Sequence, residues 1–242
     1  FFLLNAHWGK AFIKGGKRLK VYNPRLMAIW LPLEHNKRWL YLINVHFPDG
    51  GKPKAMQDDF WREFETCVGK ADEGDIPIIM GDFNASMGVS AGEYDMVCGN
   101  EGNPHQNECG RRLKSYAGMQ DLVDLVSWEK QCLPATYYDI RTRAGRQLDR
   151  ALMRMRDWHA VVSCSNATML VDSDHEAVVL ALLLHFDKPK LISSRTTRMQ
   201  KDVGSACEDK DIEGKSKLVK SVADEWRKIT GAPSFVSTVE ST

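Results

Sequence analysis

Apolar residues recur along this chain with two different periods, and the change from one to the other lays out its elements. Residues 40–47 carry a nearly continuous apolar run that includes Leu40, Leu42, Val45 and Phe47. It reads as a strand, stopped by Pro48-Asp49-Gly50-Gly51. Residues 76–80 are a short, wholly apolar run that leads into Gly81 and reads as a buried strand. Between the two, Phe60, Phe64, Cys67 and Val68 fall at helical spacing, which predicts an amphipathic helix over about 58–70. Leu113, Tyr116 and Ala117 mark a second helix, with Asn107 as its cap. Runs 147–153, 160–164 and 177–186 read as later strands. The opening Phe1-Phe2-Leu3-Leu4, with no initiator Met, reads as a fragment that begins inside a strand.

Strands interspersed with helices predict a layered α/β fold. After about Lys188 the apolar residues thin out and Lys, Ser, Asp, Glu and Gly dominate. The expectation is one folded domain over 1–190, followed by a polar linker over 191–242. Val219, Val222, Trp226 and Ile229 allow the linker one short amphipathic helix.

Composition adds exclusions more than assignments. With 242 residues and 43% hydrophobic content the chain can build a real core. A formal net charge of +1 supplies no general attraction to nucleic acid, so a DNA partner has to be argued from a site. The six cysteines (Cys67, Cys98, Cys109, Cys132, Cys164, Cys207) are scattered and include no Cys-x-x-Cys pair. They read as reduced thiols of an intracellular protein, not as a zinc site or a disulfide framework. No apolar run approaches the roughly 20 residues that span a bilayer, and the first four residues are too short for a signal-peptide core.

Chemistry concentrates at the predicted strand ends. In Gly81-Asp82-Phe83-Asn84-Ala85, strand alternation puts Asp82 and Asn84 on one face, with Phe83 anchored on the other. A carboxylate beside an amide suits hydrolysis, because one accepts a proton from water while the other holds the water or a phosphate oxygen. The same five residues also suit a plain strand-terminating turn. Ser173-Asp174-His175 precedes an apolar strand and offers an oxygen ligand of the kind Mg²⁺ prefers, together with two donors for phosphate. Asp149 lies inside an apolar run, where a carboxylate needs a partner. His175 is one candidate partner; Arg146 or Arg150 is the other. His46 closes the first strand, either as a site group or as an edge histidine.

The ordered set Asn44-Val45-His46-Phe47-Pro48, Gly81-Asp82-Phe83-Asn84-Ala85, Arg146-Gln147-Leu148-Asp149 and Ser173-Asp174-His175 resembles the endonuclease/exonuclease/phosphatase superfamily. Its members include deoxyribonuclease I, apurinic endonucleases and retrotransposon endonucleases. Residues 107–113 and 121–125, with Thr136-Tyr137, are similar to the LINE-type branch and to craniofacial-development-protein-2-like proteins. The resemblance covers residues 1–186. It implies a four-layer α/β sandwich of two packed mixed sheets, here incomplete at the N-terminus.

It also implies Mg²⁺, or Mn²⁺ in its place, as the cofactor and DNA as the substrate. A downstream reverse transcriptase in the parent polyprotein and a nuclear location would follow from the LINE-type reading. By the resemblance, Asp82 is the general base or positions the attacking water, and Asn84 orients water and phosphate. Asp174 reaches the metal. His175, held by Asp149, meets the charge that develops on the phosphoryl oxygens. His46 sits near the leaving oxygen or the phosphate, and Thr136, Ser173 and Arg25 touch phosphate.

Two features depart from the family pattern. Gly9, Lys10 and Phe12 correspond to a strand–turn region that lies after the family's first Asn and its metal-binding Glu, and neither residue has a counterpart here. Arg150 stands where an aromatic often follows the buried Asp. The missing Glu implies weak metal affinity and slow turnover or none. Three readings follow: a DNA-nicking endonuclease, a phosphatase or other phosphodiesterase of the same fold, and an inactive remnant.

Overall fold

A computed structural model describes residues 2–184, apart from 34–37, 91, 93–94, 101–102, 129–134 and 168–172. The predicted tail helix near Val219–Ile229, the domain boundary near residue 190, and Cys132 and Cys207 lie outside the described residues. The four described cysteines, Cys67, Cys98, Cys109 and Cys164, are free thiols.

The elements run α1 (Ala6–Lys14), β1 (Leu19–Asn23), β2 (Leu26–Leu33), β3 (Arg38–His46), α2 (Lys54–Val68), β4 (Ile76–Asp82), α3 (Glu108–Met119), β5 (Leu122–Asp124) and α4 (Leu125–Trp128). They continue with β6 (Tyr137–Tyr138), β7 (Gly145–Arg146), β8 (Asp149–Arg154), a 3₁₀ turn at Met155–Ala160, β9 (Val161–Ala167) and β10 (Ala177–Leu182). Six strands form one sheet in the order β1-β2-β3-β4-β8-β5. β3 and β4 are parallel and the other neighbours are antiparallel, so the sheet is mixed.

Strand alternation gives this sheet two apolar faces. Leu26, Ala28, Trp30, Tyr41, Ile43, Val45, Ile79 and Leu152 point to one side, where α2 covers them with Phe60, Trp61, Phe64 and Cys67 and α3 with Leu113, Tyr116 and Ala117. Tyr41 stacks on Trp30 at 4.4 Å between ring centroids, and its hydroxyl donates to the Cys67 carbonyl at 2.8 Å. Parallel β3 and β4 need a crossover, and α2 supplies it. On the other side Ile29, Leu31, Leu40, Ile78, Ala151 and Met153 meet α4, Cys164 of β9 and the apolar residues of β10. Among the described residues two small antiparallel pairs, β9–β10 and β6–β7, accompany the large sheet.

The start of the chain corrects the sequence reading. Phe2 to Asn5 form no strand, and Gly9, Lys10 and Phe12 are helical. Asn5 caps α1, its side chain accepting from Trp8 N at 3.0 Å, and that satisfies an otherwise orphan helix donor. Trp8 and Phe12, one turn apart, then pack on the second face beside Phe2 and Leu4. The cap and the i, i+4 spacing outweigh four apolar residues in a row.

α3 is fixed to the loop that follows β4. A Cβ on Gly110 would fall 1.8 Å from the Ser86 carbonyl, so only glycine allows that approach. The Asn107 side chain accepts from Gly110 N at 2.7 Å and from Ser86 N at 3.2 Å, and donates to the Asn84 carbonyl at 3.1 Å. The predicted cap therefore ties helix to loop as well. Asn107→Ala is expected to lower unfolding free energy by about 1–2 kcal/mol. Urea denaturation reads the loss; an unchanged midpoint would contradict the role.

Candidate active site

Three strand ends deliver three side chains in a row. β3 and β4 run in parallel with His46 opposite Asp82, and antiparallel β8 begins with Asp149 opposite Asp82. All three residues occupy equivalent pleat positions at one end of the sheet, although they are far apart in sequence. Asp82 Oδ2 lies 3.6 Å from His46 Nε2. Gly81 makes the close packing possible. It adopts φ +143°, and a Cβ there would sit 1.9 Å from the Val45 carbonyl.

Asn84 reaches Asp82 by a different route from the one alternation predicts. The strand ends at Asp82, and Asn84 takes a left-handed conformation with φ 47°. Its backbone N–H donates to Asp82 Oδ1 at 2.8 Å. Its side-chain amide donates to the Phe47 carbonyl at 2.9 Å and, more weakly, to Asp82 Oδ2 at 3.4 Å. A short polar side chain that bonds its own backbone neighbourhood tolerates this conformation. Phe83 turns the other way, fully buried and stacked on Phe47.

His175 arrives from the segment before β10. An isolated bridge to Tyr137 holds its backbone, and its N–H donates to Ser173 Oγ at 3.1 Å. Its Nδ1 hydrogen-bonds Asp149 Oδ2 at 2.9 Å, across 26 sequence positions. The Tyr137 ring lies 5.0 Å from the imidazole centroid. Of the two open partners for Asp149, His175 is the one observed. Arg146 is exposed, and Arg150 pairs with Asp124 at 2.6 Å. Asp149 itself is not sealed in the core: its side chain keeps 17% exposure and His175 keeps 32%.

The electrostatics follow from these contacts. The hydrogen bond from Asp149 is the largest influence on His175 and raises its pKa above the ordinary 6.5, against partial burial. Burial is the largest influence on Asp82 and raises its carboxyl above 3.8, while the Asn84 N–H holds it down. Stability follows in sign. His175 is raised, so its contribution is complete below its ordinary value and fades as pH climbs through the raised one. A proton NMR titration of His175 is expected to give a midpoint above 6.5, falling in Asp149→Asn. The urea-stability gap between the parent and that variant should narrow from the acid to the alkaline side of the midpoint. A midpoint at or below 6.5 would contradict the pair.

The remaining sequence candidates separate. Ser173 is exposed and Asp174 half-buried, both beside His175, and the Asp174 carbonyl accepts from Tyr138 N at 2.9 Å. Arg25 is half-buried in the β1–β2 turn at the same sheet end, its carbonyl accepting from His46 N at 2.8 Å. Thr136 sits away from the surface of the site. It has no exposed surface, and Oγ1 accepts from both Leu148 N at 3.0 Å and Asp149 N at 2.9 Å. A buried hydroxyl that bonds two consecutive amides is a clamp on the start of β8. An open cleft of about 370 Å³ runs beside Asp149, lined by Asn44, Met80, Gly81, Glu176 and Val178 among others. Sequence reasoning missed the Arg150–Asp124 pair. The available signal was a cation in the middle of an apolar run, which demands a buried counter-charge.

This architecture is that of the deoxyribonuclease I-like fold. The endonuclease domain of TRAS1, a telomere-specific non-LTR retrotransposon, superposes with a TM-score of 0.51 at 16% identity, over 69% of this chain and 68% of that one. The 3′-5′ exonuclease NExo from Neisseria meningitidis superposes with a TM-score of 0.50 at 17% identity, over 68% and 70%. No family model matches the sequence, and no curated protein matches it.

Proposed function

We propose that the chain is a phosphodiesterase acting on DNA, a nicking endonuclease of the LINE type. The observation that carries this is the hydrogen-bonded His175–Asp149 pair set beside Asp82 and Asn84 at one sheet end. The order of the site motifs and the fold shared with the TRAS1 endonuclease domain support the LINE assignment.

In this reading Asp82 takes a proton from the attacking water as the water oxygen bonds phosphorus. Its raised pKa makes it a better base than an exposed carboxylate. Both amide hydrogens of Asn84 are directed at Phe47 and Asp82, which leaves its carbonyl oxygen to orient the water. His175, whose charged form Asp149 favours, donates to the phosphoryl oxygens, which gain negative charge in the transition state. The P–O3′ bond breaks, and His46 protonates the leaving oxygen, giving a 3′-hydroxyl and a 5′-phosphate. Ser173 and Arg25 border the same end as phosphate contacts.

Mg²⁺, with Mn²⁺ as substitute, would supply further positive charge to the phosphoryl group. Among the described residues no three Asp, Glu, His or Cys side chains converge to hold a metal ion. The described residues supply no such cluster of their own, and we expect weak binding that leans on Asp174 and on substrate phosphate. Turnover is expected to be slow for the same reason. A reverse transcriptase module would be the partner that uses the 3′-hydroxyl, and the nucleus the place of action.

The test is a duplex oligonucleotide labelled at the 5′ end and incubated with Mg²⁺. Internal nicks whose ends a DNA polymerase extends support the endonuclease. Release of inorganic phosphate from a 3′-phosphorylated end without nicking would move the assignment to a phosphatase.

A further inference from the structure

Asp149 and Arg150 are neighbours that leave β8 on opposite faces, and they divide the work. Asp149 goes to His175. Arg150 goes to the covered side, where its side chain has no exposed surface. Its Nε donates to the Ala85 carbonyl at 3.4 Å, and Nη2 to the same oxygen at 3.2 Å and to the Gln147 carbonyl at 2.7 Å. Its Nη1 donates to Gln147 Oε1 at 2.8 Å and to Asp124 Oδ2 at 2.6 Å. Those five bonds use all five N–H groups of a guanidinium.

The acceptors are not scattered. Ala85 directly follows Asn84, and Gln147 stands two residues before Asp149. The Phe83 N–H donates to the Leu148 carbonyl at 3.0 Å and closes the same ring of contacts. Asp124, itself without exposed surface, anchors the far end from β5. Its other oxygen, Oδ1, has no hydrogen-bond partner among the described residues.

We infer that Arg150 is a positioning residue that locks the loop carrying Asn84 to the strand entry carrying Asp149, so that the two halves of the site move as one body. The physical reason is the cost of a buried guanidinium with unmet donors. If the Ala85 or Gln147 carbonyl shifted by an ångström, a charged donor would be left unpaired in the core. The planar fork also sets directions, which a lysine ammonium on a flexible stem does not. The catalytic consequence rests on the phosphodiesterase reading; the mechanical one does not.

Arg150→Lys keeps a cation for Asp124 and removes the fork, so it isolates the positioning role from charge pairing. Hydrogen exchange is read at the Phe83 and Asn84 amides and, as an internal reference, at Ile79 in the middle of β4. The expected result is a rise of about tenfold or more at Phe83 and Asn84 with Ile79 unchanged. In duplex cleavage, kcat should fall while KM holds. If Arg150→Lys does not fold, the paired variant Arg150→Met/Asp124→Leu, which leaves no buried charge stranded, is read in the same way. Equal changes at all three amides, or none at Phe83 and Asn84, would overturn the inference. A parent chain that cleaves no duplex would count against the proposed function alone, and the exchange result would still decide this one.

Discussion

His175→Ala is expected to slow phosphodiester cleavage by about 100- to 1000-fold with little change in KM. The imidazole is the one group of the site whose charge is both raised in population and fixed in direction. Asp149 holds Nδ1 at 2.9 Å, which leaves Nε2 to face a substrate oxygen. A donor already aimed at developing charge costs no reorganisation when the reaction occurs, and so acts mainly on the transition state. Steady-state cleavage of a labelled duplex measures the effect. Asp149→Asn should lose less, because the amide can still orient the ring while it no longer supports the cation. A His175→Ala chain that cleaves at the parent rate would remove His175 from the mechanism.

Arg150→Met is expected to destabilise the fold by about 3–5 kcal/mol, because it strands Asp124 in the core without its counter-charge. That is a large fraction of the roughly 5–15 kcal/mol by which a domain is stable. Arg150→Met/Asp124→Leu should recover most of the loss, since an apolar pair of similar volume often replaces a buried ion pair at little cost. Urea unfolding of the two single variants and the double variant gives the coupling directly. Additive losses would show that the 2.6 Å contact is energetically idle.

Much of the fold is legible in the sequence, because the sheet is built from runs whose alternation states which face each residue takes. The strands around Leu42, Ile78 and Ala151 and the helices over Phe64 and Leu113 follow from period alone. The meeting of Asp82 with Asn84 and of Asp149 with His175 was readable for related reasons: Asp82, Asn84 and His175 stand where an apolar run meets turn residues, and Asp149 is a carboxylate inside such a run that needs a partner. What period could not supply is the direction of a side chain at the very end of a strand.

Asn84 joins Asp82 through a left-handed turn, not through pleat alternation. Thr136 has the right chemistry for phosphate, but it is fully buried, its Oγ1 accepting from two β8 amides. Asp149 was read as the charge that needed burying, and the neighbouring Arg150 is the residue that is buried. A single charge in an apolar strand announces that some partner exists. Only the packed structure says which of two adjacent charges turns inward. The start of the chain misleads for a simpler reason, since four apolar residues fit a strand and a lead-in to a capped helix equally well.

The central claim is that Asp82, Asn84, Asp149 and His175 form one hydrolytic centre. Relaxation of supercoiled plasmid at millimolar Mg²⁺ by the parent chain, with an Asp82→Ala chain alongside, tests it most directly. A plasmid needs only one cut to relax, so the assay registers slow turnover. The prediction is slow accumulation of nicked circles by the parent and none above background by the variant, both folded to the same extent. Nicking at equal rates by the two chains would contradict the account, because the cut would then arise without the carboxylate around which the site is built.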